Sequence, residues 1–288
     1  MFSAAALVLF LAGRPLGFPS FRTRALTAFG PVFDAALSAA VGPAVDAAIA
    51  RREATPASSE PTPAEVQSWL QAVDDARTAF GEAKITARAT ELEDDRAKGT
   101  ADFDIYVKGR DRALIVFHGA KNEGRKALTV GTKMWLIVPG AENPVPVTAN
   151  QRLMGGASFG DVARLRFAED FTAAVRPGTE DVGGQVCRVI DLTATSPRAA
   201  YPRVTLWLDP QGEHLPRKLL FYLSSGKEAR EVFFTKFRKV RDKTVVSEME
   251  IHDLLGPNAK AMTRLEYLDI QPAHIDDAIF TPEGARAM

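Results

Sequence analysis

Between Val186 and Ile270 the chain divides into six short apolar runs with turn residues between them. The runs are Val186–Leu192, Arg203–Leu208, Arg217–Leu223, Arg230–Phe237, Thr244–Ile251 and Thr263–Ile270. They are punctuated by Asp209-Pro210-Gln211-Gly212, Ser224-Ser225-Gly226, Arg241-Asp242-Lys243 and Gly256-Pro257-Asn258. Runs of this length at spacings of about a dozen residues, ended by Gly, Pro, Asn and Asp, are the signature of an antiparallel meander. Connections this short force neighbouring strands to pair antiparallel. No helical pattern lies between them, so a doubly wound parallel sheet is excluded.

The same grammar starts earlier. Ile85–Leu92, Ala101–Val107 and Ala113–Phe117 alternate or run apolar, and Arg110-Asp111 turns between the second and third. Phe103, Ile105 and Val107 share one face against Asp102, Asp104 and Tyr106. A hairpin follows: one edge ends at Val130, Gly131-Thr132 allows the turn, and Met134–Val138 stops at Pro139, which has no N–H to offer a ladder. Pro139–Asn150 reads as a loop. Asp161–Phe167 predicts a short helix and Ala168–Ala174 a further turn or two. The count is ten or eleven strands with a mid-chain helical insert.

One helix opens the ordered part. Thr62 is its N-cap, Pro63 its first residue and Glu65 completes a capping box. Val66, Trp69, Leu70, Val73, Ala76 and Phe80 then recur on one helical face, so Trp69, Leu70 and Val73 are expected to pack on the sheet. Along the meander, Val204, Leu206 and Leu208, then Leu219, Phe221 and Leu223, then Val245, Met249 and Ile251 fall on one side by alternation. A sheet of so many strands curls. Its concave side is either filled by its own side chains or holds an apolar ligand under a helix.

Four stretches resemble the outer-membrane lipoprotein-sorting, LolA-like family of periplasmic lipid carriers. They are Lys108–Phe117; Gly124–Pro139; Arg152–Val175 with Met154-Gly155-Gly156 and Asp161-Val162-Ala163; and the strands from Val186 to Phe280. The last includes Tyr201–Asp209, Leu215-Pro216-Arg217, Ser225-Gly226-Lys227 and Ile279-Phe280-Thr281. The resemblance spans roughly 80–284. Where the family often reads Met-Gly-Ser-Asp-Phe, this chain has Met154-Gly155-Gly156-Ala157-Ser158-Phe159 and lacks the Asp. The resemblance implies a mainly β (α+β) fold: a strongly curved antiparallel sheet, an unclosed β-barrel with a helical lid and an apolar interior that accepts acyl chains. It implies a lipid or acylated lipoprotein as cargo, an inner-membrane transporter and an outer-membrane acceptor as partners, and periplasmic location as a monomer. Phe103, Ile105, Leu114, Val116, Leu206, Leu219 and Phe221 are the expected cavity lining, with Trp69, Leu70 and Val73 on the lid. In Ala113–Phe117, Ile115 and Phe117 compete with Leu114 and Val116 for that face.

Composition narrows the alternatives. The 36 basic and 36 acidic residues cancel, which argues against a nucleic-acid binder. The chain has no run of 18 or more uncharged apolar residues that would let it span a membrane as a helix. Residues 1–60 read as an export or anchoring segment plus linker, and 61–288 as the domain. Ala4–Ala12 has the length of a signal-peptide apolar core, but no Lys or Arg precedes it. Arg51–Pro63 is rich in Pro, Ser, Thr, Glu and Ala.

Catalytic patterns are weak. Gly156-Ala157-Ser158-Phe159-Gly160 matches the nucleophile elbow G-x-S-x-G, which makes a serine esterase using Ser158 the runner-up. An elbow needs an apolar strand before it and a helix after it, yet Thr148–Leu153 carries Asn150, Gln151 and Arg152. A third reading is a structural periplasmic protein with a filled core. His118, His214, His252 and His274 have no metal-ligand spacing. Asp102/Asp104 and Glu248/Glu250 each lie two apart, which marks a solvent face. The single cysteine, Cys187, reads as a small buried apolar residue. Lys236, Arg238, Lys239, Arg241 and Lys243 gather at one hairpin tip, either a solvated turn or a contact for anionic headgroups or an acidic partner. No metal or cofactor is called for.

Overall fold

The computed structural model describes residues 60–78, 80–109, 111–119, 123–148, 151–154, 157–158, 166–196, 201–256 and 261–288. Of the expected export segment and linker, 1–60, residues 1–59 therefore lie outside the described residues. Pro61–Met288 forms one compact unit.

Helix α1, Pro63–Thr78, leads into strands β1 (Glu82–Glu93), β2 (Arg96–Lys108), β3 (Arg112–Phe117), β4 (Lys126–Val130), β5 (Lys133–Ile137) and β6 (Val145–Val147). A small hairpin, β7 (Arg152–Met154) and β8 (Ala157–Ser158), precedes the short helix α2, Phe167–Asp170. Then come β9 (Phe171–Val175), β10 (Glu180–Val182), β11 (Gln185–Ala194), β12 (Arg203–Leu208), β13 (Pro216–Tyr222), β14 (Glu228–Val240), β15 (Lys243–Asp253) and β16 (Ala261–Pro272). A 3-10 turn, Asp277–Phe280, and helix α3, Pro282–Ala287, finish the chain.

Fourteen strands make one antiparallel sheet in the order β10-β11-β12-β13-β14-β15-β16-β1-β2-β3-β4-β5-β6, and β9 pairs the far half of β11. The chain enters this sheet in the middle, at β1, and the last long strand, β16, closes against it over eleven residue pairs. Among the described strands, β6 pairs only β5, and no ladder joins β6 to β9 or β10. The sheet is thus an unclosed, strongly curved half-barrel and not a true barrel. One core joins α1 to strands as far apart in the order as β11 and β5.

Three segments depart from the sequence reading. The stretch expected as a plain loop after Pro139 contains β6, whose Val145–Val147 pairs β5. Among the described residues of the helical insert, Phe167–Asp170 is helix and Phe171–Val175 is strand β9; Glu180–Val182 beyond it is β10. Both strands are short and mostly exposed, so they lack the alternation that marks a buried strand. Residues 161–165 lie outside the described residues.

The termini complete the outer surface. Ile275, Phe280 and Ala285 pack on Leu114, Leu128 and Ile137, on the side of β3–β5 away from α1. Lys108 and Arg112 both grip Asp277, at 2.9 and 2.6 Å. A third cluster on the outer side joins Cys187, Val189, Trp207 and Leu220.

Candidate functional site

The concave face carries the large buried side chains. Phe103 and Ile105 on β2, Leu206 on β12, and Leu219 and Phe221 on β13 are each no more than 2% exposed and belong to one core with Trp69, Leu70 and Val73 of α1. Five of the seven expected lining residues are therefore brought together, under the three expected lid residues. Leu114 and Val116 are not. They belong to the outer cluster beneath the C-terminal segment, and Ile115 and Phe117 take the concave positions. The reason is physical: β3 is covered on both faces, so it is apolar at every position from Ala113 to Phe117 and alternation cannot assign a side.

Helix α1 is held by a small set of directed contacts. At its start, the Thr62 N–H donates to Glu65 Oε2 (2.7 Å) and the Glu65 N–H to Thr62 Oγ1 (3.3 Å), a reciprocal capping box. Trp69 lies between the Arg188 guanidinium, 4.5 Å from its ring, and the His214 ring at 5.4 Å. Asp74, buried to 3% exposure, accepts the N–H groups of Phe167 and Ala168, both at 3.0 Å. Gln67 donates to the Ala168 carbonyl at 2.7 Å, and Arg77 stacks 5.4 Å from the Phe167 ring. Thus α1 and α2 are locked to each other by polar bonds, while α1 meets the sheet mainly through apolar side chains. Nothing in the sequence singled out Asp74, because an Asp-Asp pair beside an apolar stripe reads as the solvent edge of a helix.

Polar groups inside the concave face are few. Tyr201 stacks 4.6 Å from Phe221 and accepts a hydrogen bond from Arg230 at 3.1 Å. Burial pushes the Tyr267 phenol above its ordinary value, with Arg77 opposing. On the outer face the charges pair across strands. Arg88 grips Asp102, Lys84 and His118 reach Asp104, Lys236 meets Glu248, and Arg264 meets Glu250. The two acidic pairs thus sit among cationic partners away from the core. Burial pushes Glu248 up, but hydrogen bonds from Lys236 and Thr235 prevail and lower it.

Ser158 sits on β8, whose backbone turns back onto β7 with Arg152 opposite Ser158. A two-residue strand in a small hairpin is not the buried strand that an elbow requires. Residues 159–165 lie outside the described residues. Cys187 is fully buried, and burial pushes its thiol up. His274 approaches Glu82 at 3.0 Å, and His252 meets the Phe233 ring edge-on. Among the described residues, no group of three or more His, Cys, Asp or Glu is placed to hold a metal.

Solved structures share this architecture. A LolA superfamily protein from Nitrosomonas europaea matches with a TM-score of 0.67 and 23% identity, over 75% of this chain and 97% of that one. A DUF1329 family protein from Desulfovibrio piger matches at 0.66 and 18%, over 77% and 99%. An outer membrane lipoprotein-sorting protein domain from Vibrio parahaemolyticus, described as putative, matches at 0.65 and 16%, over 76% and 97%. The fold is therefore LolA-like. No curated protein matches the sequence. A family model described as "Uncharacterized protein" matches residues 109–284, more than half of the chain.

Proposed function

We propose, for a chain that belongs to the family matched over residues 109–284 and has the LolA-like fold, a non-enzymatic role as carrier of a lipid or of a lipoprotein's acyl chain. The observation that supports this reading is the concave face itself. Leu206, Leu219, Phe221, Phe103 and Ile105 form a continuous apolar surface beneath one amphipathic helix, whose directed bonds go largely to α2. An acyl chain would find room when α1 and α2 shift from the sheet together, since these side chains are sealed from water as they stand. Each CH₂ taken out of water contributes about 0.8 kcal/mol, so a sixteen-carbon chain supplies on the order of 10 kcal/mol before ordering costs. Handover between membrane partners, an inner-membrane transporter and an outer-membrane acceptor, would follow the same motion. This reading places the protein in the periplasm.

Lipid extraction of protein purified without denaturation, followed by mass spectrometry, tests the proposal, together with Leu206→Asp. The expected result is co-purified acyl lipid, and a variant that loses binding of a fluorescent fatty acid while still folded. If no lipid is found, if wild type binds no fatty acid, and if Leu206→Asp lowers the melting temperature sharply, the face is a filled core and the carrier reading is wrong.

A further inference from the structure

The ladder between β15 and β16 stops early. It runs from Glu248↔Glu266 to His252↔Met262, although β15 begins at Lys243 and β16 continues to Pro272. Over the unpaired length each strand keeps its other neighbour. β14 holds β15 down to Val240↔Lys243, and β1 holds β16 out to Ala83↔Pro272. The sheet therefore parts in its middle, between the β14–β15 hairpin and the β16–β1 pair, at the end where α1 finishes.

The parting has apolar walls and cationic rims. Phe80, Phe237 and Val240 pack against the concave core there. The Arg241 guanidinium and the Lys243 ammonium lie 6.0 and 5.9 Å from the Phe80 ring, and both side chains are exposed. Arg238 reaches over β15 and donates from Nη1 to the carbonyl of Leu268, the residue that the β1–β16 register skips (2.9 Å). Its Nε and Nη2, and Oγ1 of Thr244 on the facing strand, are buried without a hydrogen-bond partner among the described residues. Buried polar atoms of this kind are uncommon and call for an explanation. The other arginines of the sheet supply one. Arg88, Arg176 and Arg217 each hold a carboxylate through this same Nε–Nη2 edge, on Asp102, Asp191 and Asp209. That edge is a planar fork matched to two oxygens of a carboxylate or phosphate.

We infer that the parting between β15 and β16 is where the acyl chain passes into the concave face, and that Arg238, with Arg241 and Lys243 at the rim, holds an anionic lipid headgroup through two oxygens. This rests on the carrier reading and sharpens it: the cargo is an acyl lipid bearing a carboxylate or phosphate, and a neutral acyl ester fits less well. Lys236 has no part, since Glu248 neutralises it at 2.6 Å on the outer face.

The test compares palmitate with methyl palmitate, and lysophosphatidic acid with lysophosphatidylcholine, on wild type, Arg238→Gln, Arg238→Lys and the double variant Arg241→Ser/Lys243→Ser. Wild type is expected to bind the anionic member of at least one pair about tenfold more tightly, and Arg238→Gln to remove that preference while binding of the neutral member is unchanged. A preference in the first pair assigns a fatty-acid carboxylate, and in the second a phosphate; either supports the inference. Should Arg238→Gln not fold, the double variant on the exposed rim decides, with a reduced preference expected and an unchanged one overturning the assignment. Equal binding within both pairs, in wild type, overturns the headgroup site and leaves the carrier reading standing. Binding of no acyl lipid at all refutes the carrier reading itself.

Discussion

Asp74 shows what one side chain decides. It sits one residue after Val73 on the buried stripe, and both of its oxygens are taken by the first N–H groups of the α2 segment. Asp74→Ala would leave two buried donors unmatched, at a cost of about 2–4 kcal/mol. Chemical denaturation should show that loss, and a change under about 0.5 kcal/mol would mean that water replaces the carboxylate freely. Two further carboxylates carry a response to acid. A hydrogen bond from Arg176, ahead of the opposing burial, holds Asp191 below its ordinary 3.8. Lys236 and Thr235 hold Glu248 below 4.5 against burial. Both pKa values are lowered by folding, so the stability they give is complete above the ordinary values and drains as pH falls through them toward the folded ones. Stability should be flat from about pH 7 to about pH 5 on this account and then decline. Lys236→Gln should make the acid decline shallower, and an unchanged slope would remove Glu248 from the explanation.

At the scale of elements, the C-terminal segment explains why the face of β3 cannot be read from alternation. The 3-10 turn and α3 cover the outer face of β3–β5 and bury Leu114, Leu128 and Ile137. Gly284 is the tight point of that cover. A Cβ placed there would run into the Ala278 carbonyl, while the Gly284 N–H donates to Thr281 Oγ1 at 3.0 Å. Gly284→Ala should force α3 off the 3-10 turn and cost about 1–3 kcal/mol. A lowered melting temperature with new binding of a hydrophobic dye is the expected result; a melt equal to wild type would mean that the segment adjusts without losing its contacts. The outer edge strand β6 is managed differently. It is only three residues long and centres on Pro146, which can offer no donor to another chain.

The domain of residues 61–288 is built on one sheet entered at its middle, so its two halves meet along β1 and β16, strands from opposite ends of the domain. Such a sheet cannot complete its core until the last long strand has joined. Pro61–Met288 should therefore melt in one transition, followed by circular dichroism. Two separate transitions would mean that the β10–β15 half folds by itself. The fold class and the hairpins were legible because turn chemistry and period-2 alternation are local signals. The capping box at Thr62 and the buried apolar stripe of Trp69, Leu70 and Val73 were legible for the same reason.

The sequence alone determined the antiparallel mainly β class, the position of the helix, and which residues of β2, β12 and β13 share a face, since each follows from spacing along one segment. Only the tertiary structure decided the face of β3, because a strand covered on both sides carries no alternation to read. It alone revealed β6, β9 and β10, whose pairing comes from neighbours and not from their own weak patterns. The early end of the β15–β16 ladder and the burial of the Arg238 fork likewise follow from strands some thirty residues apart meeting and then diverging. That relation exists in space and leaves no mark in the order of the residues.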